Sequence, residues 1–304
     1  MQAELLYSAH ALLGEGPVWH SGEQRLYWLD IEGLRLHRFD PSSGLDESFS
    51  LPNRVGCFVP CRNGHYLLAA QTGIEEIRLG VNGVEFLKTA AHPESDKPEN
   101  RYNDGKCSPE GRFWFGSLNM QCQPGQASLY VLDERGCRTA ITGATNSNGL
   151  GWSPNGKTFY WIDTPTRRVE AFDYDLQEGE LTNRRTVIAF PADSSENVGR
   201  PDGMTVDSDG MIWIAHWLGG RVTRWNPVNG SLLETIRLPV SRVTSLTFGG
   251  SEFKTLFITT ASLGLSPESQ PKEPEAGGLF VYESKTAGLP AASYNLTNCP
   301  ERAW

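Results

Sequence analysis

Three oxygen-bearing side chains, Glu15, Asn148 and Asp202, each stand directly before a glycine at the head of a similar block of sequence. Singly, such pairs are ordinary turn dipeptides, and Glu15 between two glycines reads as a solvated loop charge. Together, two carboxylates and an amide, with no Cys or His, suit a hard divalent cation. Three protein ligands would leave positions for water or substrate, as metal-assisted catalysis requires.

A fourth pair of this kind, Asp104-Gly105, lies in the densest polar segment of the chain, residues 101–106. Arg101 in this segment suits charge-assisted hydrogen bonds to a carbonyl or hydroxyl oxygen of a substrate. The alternative is a loop ion pair between Arg101 and Asp104. The residues alone leave both interpretations open.

Other catalytic classes find little support in the sequence. The chain has no Gly-x-Ser-x-Gly elbow and no His-Glu-x-x-His motif, and its paired glycines lack the spacing of a phosphate-binding loop. We expect His216 to be a hydrogen-bonded structural residue.

The candidate residues lie far apart in sequence, and each stands at the same position of a repeated block. A ring of such repeats would bring these positions together at its axis. Six blocks recur along the chain, at a spacing of about 45 residues that is typical of four-stranded propeller blades. Each block holds short β-branched or aromatic runs bounded by glycine-containing dipeptides, and no segment has a sustained helical period. The pattern predicts an all-β, six-bladed β-propeller with four-stranded blades. We expect one domain over residues 1–304, with the segment at 4–7 completing the last blade and loops at 92–102 and 266–277.

Composition narrows the possible partners and compartment. The net charge of −9 argues against binding to nucleic acid or to an anionic membrane. No apolar run approaches the roughly 20 residues of a membrane span, and the N-terminus lacks the basic start of a signal peptide. We therefore expect a soluble, cytoplasmic protein whose six cysteines are reduced.

Four ordered motifs carry a family resemblance that covers nearly the whole chain. They are Gly14-Glu15-Gly16-Pro17-Val18-Trp19, Arg101-Tyr102-Asn103-Asp104-Gly105-Lys106, Ser147-Asn148-Gly149-Leu150 and Arg200-Pro201-Asp202-Gly203. The sequence resembles the gluconolactonase/regucalcin/luciferin-regenerating-enzyme family.

The resemblance implies one divalent cation (Ca²⁺, Zn²⁺, Mn²⁺, Mg²⁺ or Fe²⁺) in the central channel, held by Glu15, Asn148 and Asp202. It also implies substrate binding by Arg101 and Asn103, with Asp202 as acid and base. The implied reaction is hydrolysis of a sugar-acid lactone, such as a glucono-, galactono-, arabinono- or xylonolactone, to the free acid. We expect a monomer or a weak homo-oligomer.

Two alternatives remain beside this hypothesis. One is ester or phosphotriester hydrolysis at the same metal, and the other is a non-catalytic, calcium-binding propeller scaffold. The sequence also departs from several relatives, which carry a sugar-binding acidic residue where this chain has the segment 119–123, without an acid. The identity of the sugar therefore stays open.

Overall fold

The computed structural model describes residues 1–81, 83–191 and 198–295, and in this part of the chain the regular structure is almost entirely β. Two short 3₁₀ turns, Thr164–Thr166 and Gln270–Lys272, are the helical segments found there. The strands, in chain order, are β1 (Glu4–Tyr7), β2 (Gly14–His20), β3 (Arg25–Asp30), β4 (Arg35–Asp40), β5 (Leu45–Ser50), β6 (Val55–Pro60), β7 (Tyr66–Ala70), β8 (Gly73–Gly80), β9 (Gly83–Ala91), β10 (Asn100–Cys107), β11 (Phe113–Asn119), β12 (Ala127–Asp133), β13 (Gly136–Ala144), β14 (Ser147–Trp152), β15 (Thr158–Asp163), β16 (Arg168–Tyr174), β17 (Leu181–Ala189), β18 (Arg200–Val206), β19 (Ile212–Trp217), β20 (Arg221–Asn226), β21 (Ser231–Arg237), β22 (Val243–Gly249), β23 (Thr255–Thr260) and β24 (Leu279–Glu283).

These strands form six antiparallel sheets of four strands each. Blades 1 to 5 are β2–β5, β6–β9, β10–β13, β14–β17 and β18–β21, and blade 6 combines β22–β24 with β1. Leu5 of β1 lies opposite Phe280 of β24, so a strand from the N-terminal end completes the last blade. The predicted six-bladed β-propeller with four-stranded blades is confirmed.

The blades pack through large apolar side chains on their second strands. Trp28, Trp114, Trp161 and Trp213 occupy this strand in blades 1, 3, 4 and 5, and all are buried. Trp213, for example, packs edge-on against Phe248 of the neighbouring blade 6. Aromatic side chains of this size supply much of the apolar area that holds neighbouring blades together.

The first strand of each blade faces the central channel, and each one contacts the first strands of both neighbouring blades. All six pair with their second strands through a register shift at a similar level. The shifts fall between Glu15 and Val18, Val55 and Phe58, Tyr102 and Gly105, Ser147 and Leu150, Pro201 and Met204, and Val243 and Ser245. A bulge of this kind leaves residues outside the ladder and re-aims their side chains. The Asn148-Gly149 and Asp202-Gly203 pairs are therefore bulges within strands, and their interpretation as turns is wrong.

Two of the bulge glycines, Gly149 and Gly203, lie where neighbouring first strands approach closely. A Cβ atom on Gly149 would lie 2.6 Å from the carbonyl oxygen of Asp202 and 2.7 Å from the amide nitrogen of Met204, both on the next blade. A Cβ atom on Gly203 would overlap Ser245 of the blade after that. Close contact between first strands, rather than a left-handed backbone, explains these two glycines.

The predicted loops agree with the structure except at one edge. The segment 92–99 is a loop, but β10 begins at Asn100, so residues 100–102 belong to a strand. The segment 266–277 joins β23 to β24 and holds the 3₁₀ turn Gln270–Lys272.

The described cysteines are free thiols: Cys57, Cys61, Cys107, Cys122 and Cys137. Cys299 lies outside the described residues. Of the helices in the described chain, none has the length and apolar character that a membrane crossing needs.

The close approach at Gly149 predicts the cost of a single methyl group. We expect Gly149→Ala to lower the free energy of unfolding by about 1–3 kcal/mol, because the backbones of blades 4 and 5 must separate. Chemical denaturation measures this change. The matched control is Gly80→Ala in β8, where the added Cβ would meet only the Gly83 carbonyl oxygen, at 3.9 Å. Equal stability of the two variants would contradict the close-packing explanation.

Candidate active site

The predicted site residues lie on first strands of four different blades. Glu15 is on β2, Arg101 and Asn103 are on β10, Asn148 is on β14 and Asp202 is on β18. The side chains of the proposed cation ligands are buried: Glu15, Asn148 and Asp202 keep 8%, 4% and 7% of their surface exposed. Residues far apart in sequence thus share one part of the channel.

Asn148 and Asp202 are in direct contact. The Asn148 amide nitrogen donates a hydrogen bond to Oδ1 of Asp202, 54 residues further along the chain. The same nitrogen donates to Oγ1 of Thr164 at 3.1 Å. The bulges on β14 and β18 therefore turn these two side chains toward each other.

Glu15 belongs to the same group of charges, although it comes from blade 1. Its Oε2 accepts a hydrogen bond from the amide of Gly16 at 3.0 Å. Burial raises the pKa of Glu15 well above its usual range, and the negative charges of Asp202 and Asp104 raise it further. The Arg101 guanidinium opposes this increase in pKa. The charge of Glu15 therefore interacts with the charges of Asp202 and Arg101, which lie on other blades.

Asp202 has the environment of a proton-transfer group. Burial raises the pKa of this carboxyl well above its ordinary value, and the charge of Asp104 adds to the increase. The hydrogen bond from Asn148 acts in the opposite direction, because it stabilises the carboxylate. A carboxyl group with a raised pKa inside a channel is a candidate acid and base.

Arg101 and Asn103 form a unit on β10. Nη1 of Arg101 donates to Oδ1 of Asn103 at 2.8 Å and to the carbonyl oxygen of Tyr102 at 2.9 Å. Arg101 therefore bonds within its own strand, and the loop ion pair with Asp104 is not formed. The Asn103 amide nitrogen donates to Asn146 Oδ1 and to the Ser147 carbonyl oxygen, so both of its hydrogens are used within the protein.

Asp104 and Lys106 are site residues that sequence reasoning missed. Asp104 is 6% exposed; its Oδ1 accepts from the Gly105 amide at 2.7 Å, while its buried Oδ2 has no hydrogen-bond partner. Lys106 reaches across the channel and donates from Nζ to the carbonyl oxygen of Met204. Burial lowers the pKa of Lys106, and the charge of Asp104 opposes that decrease. The Asp104-Gly105 pair, which matches the acid–glycine pattern, was the available signal for Asp104.

The residues present fit a hard divalent cation. The carboxylates of Glu15, Asp104 and Asp202 are buried, that of Asp202 contacts the Asn148 amide, and Oδ2 of Asp104 has no hydrogen-bond partner. Within the described ranges, no group of three or more His, Cys, Asp or Glu side chains is arranged to hold a metal. A cation site here would therefore depend on the Asn148 amide oxygen. An all-oxygen donor set of this kind matches Ca²⁺, Mg²⁺ or Mn²⁺ chemistry.

A cavity of about 440 Å³ lies at the other end of the same strands. It is lined by the C-terminal halves of all six first strands, with Val18, Val59, Lys106, Trp152 and Thr247 among the contributors. Lys106 lines this cavity, and its Nζ bonds to the carbonyl oxygen of Met204 on β18.

The segment 119–123, which lacks an acid, has an acidic neighbour. Gln121 Nε2 donates to Oε2 of Glu99 at 2.7 Å, so a carboxylate from the loop before β10 lies beside it. Asn119 itself is buried and donates to Oδ1 of Asn100 at 2.9 Å.

His216 takes the structural role that we predict from sequence. It is buried, its Nε2 pairs with Thr223 Oγ1 at 2.6 Å, and burial lowers its pKa to about 3.

Comparison with known proteins agrees with this architecture. Residues 13–262 match the family described as the SMP-30/Gluconolactonase/LRE-like region. The chain is 39% identical to regucalcin of Danio rerio over 286 residues, 93% of this chain and 94% of the relative. It is 36% identical over 289 residues to the provisionally named sugar lactone lactonase YvrE of Bacillus subtilis strain 168, with 95% and 97% covered.

A solved structure extends the comparison to three dimensions. The regucalcin of Agrobacterium tumefaciens, described as a calcium-binding protein, superposes with a TM-score of 0.90 at 25% identity, over 97% of this chain and 98% of that one. By sequence match and by fold, the chain belongs to the SMP-30/gluconolactonase/LRE-like family.

Proposed function

We propose that this protein is a metal-dependent lactonase that hydrolyses a sugar-acid lactone, such as a glucono-, galactono-, arabinono- or xylonolactone, to the free acid. The observation that carries the proposal is the direct contact of buried Asn148 with buried Asp202. Glu15 is buried on another first strand of the same channel and interacts electrostatically with Asp202 and Arg101. Membership of the family and the YvrE relative support the reaction class.

Glu15, Asn148 and Asp202 would hold the cation through carboxylate and amide oxygens. When bound, a divalent cation supplies Lewis-acid polarisation of the lactone carbonyl and charge stabilisation for the developing oxyanion. Asp104 adds negative charge to this part of the channel, which favours a cation over a neutral occupant.

Asp202 would move the proton of the reaction. Water oxygen bonds to the carbonyl carbon, the ring carbon–oxygen bond breaks, and the proton lost by the water ends on the ring oxygen as a hydroxyl. Asp202 would take this proton from the water and release it to the ring oxygen. Its hydrogen bond from Asn148 holds the carboxylate in place.

Arg101 would orient the substrate. Its Nη1 is used on Tyr102 and Asn103, which leaves Nε and Nη2 as donors for a sugar hydroxyl or carbonyl oxygen. Asn103 would contribute through its Oδ1, which already accepts from Arg101, and so would hold the guanidinium beside the substrate.

A calcium-binding scaffold without catalysis is the second candidate, favoured by the description of the Agrobacterium relative. We further propose action on a small-molecule substrate in the cytoplasm, as a single domain and as a monomer or weak homo-oligomer. The net charge of −9 argues against nucleic acid or an anionic membrane as a partner.

The substrate class is tested with metal-stripped protein, to which Ca²⁺, Mg²⁺, Mn²⁺, Fe²⁺ or Zn²⁺ is added back singly. Hydrolysis is measured by pH-stat titration. We expect at least one metal to restore hydrolysis of an aldonolactone, and we expect kcat/KM for the lactone to exceed kcat/KM for aryl esters and phosphotriesters. A protein inert to every lactone, whose stability alone responds to metal, would favour the scaffold.

The role of Asp202 predicts a loss of turnover. We expect Asp202→Asn to lower kcat by about 10²–10⁴ at saturating metal, because the amide cannot accept the proton. The control is Asp209→Asn, an exposed carboxylate on the same blade, which we expect to retain full activity. Full activity of folded, metal-loaded Asp202→Asn would contradict the proposed role of Asp202 in proton transfer.

The raised pKa values of Glu15 and Asp202 predict how pH acts on the metal-free protein. Between the unfolded pKa of about 4 and the raised folded values, the folded state holds more protons, so its stability falls as pH rises. A bound cation removes this penalty by pairing with the ionised carboxylates. The increase in Tm on adding metal should therefore be larger at about pH 8 than at about pH 5. Differential scanning calorimetry measures it, and an increase that is equal at both pH values would argue against these carboxylates as ligands.

A further inference from the structure

Thr164 lies directly behind the Asn148 side chain. It begins the 3₁₀ turn Thr164–Thr166, which follows β15, and it is buried, with 8% of its surface exposed. Its Oγ1 is 3.1 Å from the Asn148 amide nitrogen and 2.9 Å from the carbonyl oxygen of Pro201. The hydroxyl thus joins blade 4 to the residue before Asp202 on blade 5.

The direction of these two hydrogen bonds is fixed by elementary chemistry. A backbone carbonyl oxygen only accepts, so the single hydroxyl proton of Thr164 must point at Pro201. Oγ1 then has only lone pairs to offer to Asn148. The Asn148 group that faces Thr164 must therefore be the donating NH₂, and not the amide oxygen.

The second hydrogen of this NH₂ group goes to the carboxylate oxygen Oδ1 of Asp202. Both amide hydrogens are then used within the protein, one on Thr164 and one on Asp202. The amide oxygen of Asn148 is the atom left for a ligand. Free asparagine amides exchange their two ends by rotation at little cost, so a residue that blocks the rotation preorganises the site.

We propose that Thr164 is a positioning residue, which fixes the Asn148 amide so that its oxygen serves the cation. The inference rests on the proposed function, because it assigns Asn148 to the same cation. The inference adds a residue whose own hydroxyl oxygen does not bind the cation.

Three variants separate positioning from general stability. Thr164→Val keeps the shape of the side chain and removes the hydroxyl, and Thr164→Ser keeps the hydroxyl. Thr166→Val is the matched control, because Thr166 lies in the same 3₁₀ turn as Thr164. The Thr166 hydroxyl donates to the Asp163 carbonyl oxygen at 2.7 Å and makes no hydrogen bond to Asn148.

Binding of Mn²⁺ to metal-stripped protein is followed by the electron paramagnetic resonance signal of the free ion. We expect Thr164→Val to weaken Mn²⁺ binding by about 10- to 100-fold, the usual effect of losing a partner of a metal ligand. Thr164→Ser and Thr166→Val should bind within a few-fold of the wild type. Native affinity in Thr164→Val, or equal losses in the two valine variants, would overturn the inference while the proposed function stands.

A second measurement needs no metal. In ¹⁵N-labelled protein, the Asn148 side-chain amide signals are assigned by their loss in Asn148→Asp, and their hydrogen exchange is then timed. We expect slow exchange in the wild type and Thr164→Ser, and exchange at least about tenfold faster in Thr164→Val, because one hydrogen loses its acceptor. Failure of the wild type to take up Mn²⁺ would count against the cation site, whereas unchanged exchange in Thr164→Val would count against the role of Thr164.

Discussion

The site depends on how closely the first strands of neighbouring blades approach. At the level of the bulges there is no space for a methyl group between Gly149 and the backbone of Asp202. This closeness brings Asn148 within hydrogen-bond distance of Asp202. It also removes water from around the carboxylates, which is the largest cause of their raised pKa values. One packing constraint therefore sets both the geometry and the electrostatics of the channel.

The arrangement is costly when considered by itself, because like charges are brought together out of water. Glu15, Asp104 and Asp202 would repel one another when ionised, and the partnerless Oδ2 of Asp104 adds a desolvation cost. The sheets around the channel, with their buried tryptophans, supply the stability that holds this group in place. Such local conflict inside an otherwise consistent fold is typical of functional sites.

The sequence predicts the blades well because each blade is a local unit, whose strand and turn signals lie within one block. Even the last strand of blade 6 was predictable, since residues 4–7 are a strand without a partner nearby in sequence. The Asn-Gly and Asp-Gly pairs were harder, because bulges and turns favour the same residues. Thr164 and Lys106 were not predictable from local pattern: their partners, Pro201 and Met204, lie on another blade and are set by backbone position alone.

The pairing of β1 with β24 also determines when the fold can be completed during synthesis. During synthesis, blades 1 to 5 leave the ribosome in order, but β1 has no strand to pair with until residues 279–283 have emerged. Blade 1, which carries Glu15, and blade 5, which carries Asp202, are neighbours only through that sixth sheet. Contacts of such long sequence separation form slowly. Glu15 is therefore synthesised long before the sixth sheet can join blade 1 to blade 5.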